Sequence, residues 1–78
     1  MKFKIRLDTY TDIKRLVEIA TGFPGEKITV TDGNGLRANA KSYLGVISAT
    51  EYSELWLETE NEHYHDFHDF MQIEDAKE

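Results

Sequence analysis

Three histidines fall within six residues, His63, His65 and His68, followed by Asp69. On a helix His65 and Asp69 stand at i, i+4 and His65 and His68 at i, i+3, so each pair would face one way. Imidazole and carboxylate are suitable ligands for a divalent metal. Two or three of them on one surface helix make an incomplete site, so the pattern predicts solvated histidines on a polar face and no metal. Ser42 opens a second point of interest. A serine at a helix start accepts a backbone N–H as a cap. Thr9 and Thr11, in Asp8-Thr9-Tyr10-Thr11-Asp12, precede another helical repeat. The N–H groups there attract an anion. Asp8 and Asp12 oppose one, so only weak anion binding at Thr9 and Thr11 is expected. With no cysteine, disulfides, thiolate zinc sites and cysteine nucleophiles are excluded.

The elements that must position these residues follow from periodicity. Lys2-Phe3-Lys4-Ile5-Arg6-Leu7 alternates basic with apolar, the pattern of a half-buried strand. Ile13, Leu16, Val17 and Ala20 at i, i+3, i+4 and i+7 predict an amphipathic helix, stopped by Gly22 and the Phe23-Pro24-Gly25 loop. Lys27–Thr31 reads as a second strand. Asp32-Gly33-Asn34-Gly35 is a hairpin turn tolerating positive φ, with Leu36–Ala40 returning. Ser42 then caps a short helix carrying Leu44, Val46 and Ile47, weakened by Gly45. Glu54–Thr59 alternates again as a fourth strand. Asn61 would cap a last helix with Tyr64, Phe67 and Met71 as its apolar stripe and Phe70 and Ile73 flanking it. Residues 74–78 should fray.

The order β-α-β-β-α-β-α predicts one α+β domain over 1–78: a four-stranded antiparallel sheet with three helices on one face. The other face should be wet, carrying Lys2, Lys4, Arg6, Thr29, Thr31, Trp56 and Glu58. Trp56 there is expected to pack with the basic residues of the first strand through cation–π contact, with a partner anchor as the alternative.

At 78 residues the chain supports one modest core. Residues 1–50 carry a net +3 and residues 51–78 a net −9, within a total of −6. Phosphate repels such a chain, so no nucleic-acid partner is expected. No apolar run approaches the roughly 18 residues of a membrane span and no secretory signal is evident, which predicts a cytoplasmic protein without a membrane partner.

Lys41-Ser42-Tyr43-Leu44-Gly45-Val46-Ile47-Ser48 resembles the Lys-Ser-Ile-Met-Gly-Val-Met-Ser stretch of the histidine-containing phosphocarrier (HPr) family of the bacterial sugar phosphotransferase system. The Asn34-Gly35 turn and Asn39 before the Lys-Ser pair resemble that family as well, and the likeness runs over roughly residues 2–73. It implies an open-faced β-sandwich, a protein partner at the apolar patch of Tyr43, Leu44 and Ile47, and a regulatory phosphorylation site at Ser42. The family's acceptor histidine, in Gly-Leu/Ile-His-Ala-Arg-Pro, is missing. Asp8–Asp12 stands in its place, shorter and without histidine, arginine or proline. A threonine ester does not replace a labile phosphohistidine, so the resemblance implies a non-catalytic, cofactor-free regulatory relative. The alternatives are a phosphocarrier with an unrecognised acceptor, or a plain interaction domain.

Overall fold

The structure is a computed structural model and describes residues 1–71. Strands β1 (Lys2–Lys4), β2 (Ile28–Thr31), β3 (Arg37–Asn39) and β4 (Trp56–Thr59) and helices α1 (Tyr10–Thr21) and α2 (Tyr43–Ala49) follow in the order β1-α1-β2-β3-α2-β4. The fold is α+β, and the strands form one antiparallel sheet in the order β1-β4-β2-β3.

Register sets which residues reach the core. Val30 pairs with both Leu57 and Ala38, and Leu57 with Phe3, so one row of apolar side chains crosses the sheet. Ile13, Leu16, Val17 and Ala20 of α1 and Val46 and Ala49 of α2 join that row in one buried cluster. The helical spacing of α1 thus positions the face it was expected to bury. Gly22 ends α1 in the right-handed conformation, at φ −69°, without using the left-handed freedom of glycine. The β2–β3 turn does use it: Gly33 has φ +78° and Gly35 φ +116°.

The last segment departs from expectation. No α-helix forms over residues 61–71; there is a single 3-10 turn at His68–Phe70. Asn61 does not act as a helix cap, since no helix follows it; its N–H donates to Glu26 Oε2 at 2.8 Å. Phe67, Phe70 and Met71 are buried as the apolar spacing required, but Tyr64 is exposed. Met71 instead bridges antiparallel to Ile5, and Arg6 N–H donates to Phe70 O at 2.8 Å, so the chain returns beside the residues just past β1. Ile73 and residues 74–78 lie outside the described residues.

The open face is also drier than its alternation suggested. Thr29 and Thr31 are buried although they point away from Val30. Strand β2 is central, and its neighbours on this face are large, with Trp56 opposite Thr31 and Glu58 opposite Thr29. Lys2 and Lys4 place their Nζ atoms 5.4 and 5.9 Å from the Trp56 ring centroid, the expected cation–π arrangement.

Candidate functional site

Helix α2 presents the candidate surface. Asn39 Oδ1 accepts the N–H of Lys41 at 2.9 Å and Asn39 O the N–H of Ser42 at 3.0 Å, which fixes the entry of the chain. Ser42 has extended φ/ψ, and its Oγ accepts the Gly45 N–H at 3.1 Å. It is the N-cap that its sequence position predicts. Gly45 sits in a tight approach: a Cβ there would lie 3.3 Å from Asn39 O, so the chain at Asn39 would have to give slightly. Val46 and Ala49 turn into the core, whereas Tyr43, Leu44 and Ile47 are 38%, 78% and 40% exposed. At i, i+3 and i, i+4 spacing these three form one outward apolar face.

At the start of α1, Thr9 is the cap and Thr11 is not. Thr9 Oγ1 accepts the Asp12 N–H at 3.2 Å, and Asp12 Oδ2 accepts the N–H groups of Asp8 at 2.9 Å and Thr9 at 3.1 Å. Those bonds, led by the one from Asp8, hold the Asp12 carboxyl below its ordinary value. The protein's own carboxylate therefore fills part of the anion position that a helix start offers. Arg6 is engaged with Asp8 at 2.9 Å.

The histidines separate into two environments, and His63 is not the solvated residue its composition suggested. Its ring is buried, tilted against Phe23 with centroids 4.2 Å apart and edge-on to Phe67. His63 Nε2 lies 2.6 Å from Glu26 Oε1 and Nδ1 lies 3.0 Å from Asp66 Oδ2. Only the imidazolium donates to both carboxylates. The Glu26 bond, and after it the Asp66 bond, hold the His63 pKa above 6.5 against the opposing effect of burial. Glu26 is brought down to about 2, chiefly by His63 and further by the N–H of Asn61. Its Oε2 also accepts the Glu60 N–H at 2.9 Å. In the sequence His63 reads only as a solvated histidine or metal ligand, and its partners Glu26 and Asp66 are missed, because 37 residues separate His63 from Glu26 and no periodicity links them.

His65 and His68 remain near the surface, each edge-on to Tyr64. Asp69 is drawn off to Arg15, 3.0 Å away. The helical i, i+4 geometry assumed for these residues is not formed. Among the described residues no cluster of three or more His, Asp or Glu stands close enough to hold a metal ion. No helix among them is long and apolar enough to cross a membrane. Comparisons with protein-family profiles, with curated proteins and with solved structures returned no match for this chain.

Proposed function

We propose that this is a non-catalytic, HPr-like regulatory domain that works by docking a protein partner on α2, under control of phosphorylation at Ser42. The observation that carries the reading is the outward trio Tyr43, Leu44 and Ile47 on a helix whose other face is core. Large apolar side chains held outward on a capped helix are available to a partner at little ordering cost. The Lys41–Ser48 resemblance supplies the kind of partner: a transcriptional regulator or a component of the sugar phosphotransferase system, in the cytoplasm of a bacterium. The Asp8–Asp12 stretch, with Asp12 occupying the N–H groups at the start of α1, supports the absence of phosphoryl relay.

A phosphate on Ser42 adds about −1.5 to −2 charges at the rim of the trio without unfolding a helix that already begins there. Lys41 and Arg37, close to Ser42 in sequence, each already hold partners with part of their donors. Lys41 Nζ donates to Phe23 O and Glu26 O, and Arg37 pairs with Glu58. The test is incubation with ATP and the serine kinase of the phosphotransferase system, followed by mass-spectrometric mapping. Incorporation confined to Ser42 and lost in Ser42→Ala is expected. No incorporation, or equal incorporation in the variant, leaves Ser42 a helix cap only. Incubation with phosphoenolpyruvate and enzyme I is expected to yield no acid-labile phosphohistidine, and its appearance would restore the phosphocarrier reading.

A further inference from the structure

We propose that the β2–β3 corner of the open face is a binding site for a small oxyanion, a phosphate or carboxylate group, distinct from both helix starts. A cleft of about 360 Å³ lies there, lined by Lys27, Thr29, Arg37, Asn39 and Lys41 with Glu26, Ile28 and Ala38 beside them. That volume is within the usual range for small-ligand sites, which combine a concave wall with a few convergent polar groups.

The charge in the cleft is positive, because its one lining carboxylate is turned away. Glu26 directs both oxygens to His63, Glu60 and Asn61. Lys27, Arg37 and Lys41 remain. Two of them are held in place by bonds that leave donors over. Lys41 Nζ is anchored by Phe23 O at 2.6 Å and Glu26 O at 2.5 Å, with a third N–H unused. Arg37 is anchored through one guanidinium nitrogen to Glu58 Oε1 at 2.6 Å, leaving most of its five donors. Asn39 spends its Oδ1 on the Lys41 N–H, which leaves its amide NH₂ as the outward group.

Thr29 adds a hydroxyl to the cleft wall. It is only 7% exposed, it lines the cleft, and its hydroxyl makes no hydrogen bond among the described residues. Among the described residues no buried side-chain oxygen or nitrogen lacks a partner, so the Thr29 hydroxyl is reached by solvent and is free to donate. An oxyanion in the cleft would accept from Thr29 Oγ1, Asn39 Nδ2 and Lys27 Nζ, and arginine and lysine donors make the stronger, charge-assisted bonds. The surrounding charge of −6 opposes any anion, so affinity rests on these contacts and not on long-range attraction.

The experiment is an amide NMR titration of the whole chain with inorganic phosphate, with succinate, and with sodium chloride at matched ionic strength. Saturable shifts at residues 27–29 and 37–39 with phosphate or succinate, but not with chloride, are expected. Phosphate alone acting would identify a phosphate site, and both acting a general oxyanion site. Arg37→Gln should weaken binding about tenfold. Thr29→Val, which keeps shape and strand propensity, should weaken it severalfold with the fold retained. Lys27→Gln, on an exposed side chain, gives a third reading should either of these melt. Shifts no larger than those with chloride, or folded variants that titrate like wild type, would overturn the site.

Discussion

Glu26 Oε1 and His63 Nε2 lie 2.6 Å apart, joining the loop after α1 to the segment after β4 inside the protein. Each residue is 8% exposed. The pair makes stability depend on pH from two sides. Glu26 has a folded pKa of about 2 against an ordinary 4.5, so its contribution is complete above 4.5 and is lost as pH falls from there toward 2. His63 is raised above 6.5, so its contribution is complete below 6.5 and is lost as pH rises through the raised folded value. Thermal melting should therefore peak between those ordinary values. In His63→Gln the alkaline decline should flatten. A wild-type curve flat from acid through neutral pH would contradict the pairing.

Removing either partner should not be equivalent. Glu26→Ala strands the imidazolium and the N–H groups of Glu60 and Asn61 together, whereas Asp66→Asn removes only one half-exposed partner. Glu26→Ala should melt lowest, His63→Gln next and Asp66→Asn close to wild type. The order, measured by calorimetry near pH 6, is the check. Asp66→Asn melting as low as Glu26→Ala would mean that the loop at 60–66 is held by something else.

This pair also shows where sequence reading stops. The α1 stripe, the Ser42 cap, the Asp-Gly and Asn-Gly turn and the Lys–Trp56 contact were legible, because each depends on neighbours within a few residues or on simple alternation. The segment after β4 was misread for the same reason. Tyr64, Phe67 and Met71 carry helical spacing, but Glu26 ties down the N–H groups of Glu60 and Asn61 and holds the His63 ring inward. A long-range ion pair overrides a local period. The polar corner around Thr29 was invisible likewise, since alternation assigns Thr29 to solvent and says nothing of the large neighbours beside it.

The α1 cap separates two threonines that look alike in sequence. Thr9→Ala should cost about 1 kcal/mol, the usual loss of an N-cap, while Thr11→Ala should stay within about 0.5 kcal/mol. Urea unfolding of both variants decides it. Sulfate should shift the α1 amides little in wild type and more in Asp12→Asn, where the built-in carboxylate is weakened as an acceptor. A tight sulfate site at Thr11 in wild type would mean that the start of α1 is open after all.

Gly33 and Gly35 share one turn, and alanine at each should destabilise for different reasons. Gly33 has φ +78°, and an added Cβ would meet Trp56 Cδ1 at 3.3 Å and Nε1 at 3.4 Å. Gly35 has φ +116° with open space around the added atom. Backbone strain alone costs about 1–2 kcal/mol for a residue with a side chain in the left-handed region. Gly35→Ala should show that loss and leave the indole undisturbed. Gly33→Ala should lose more, because the indole is already held by Glu54 Oε1 at 2.9 Å and by the Lys2 and Lys4 ammonium groups. Its fluorescence maximum should move in Gly33→Ala and not in Gly35→Ala, read in the folded state well below each melting point. An unmoved Trp56 emission in Gly33→Ala would show that the turn, and not the indole, gives way.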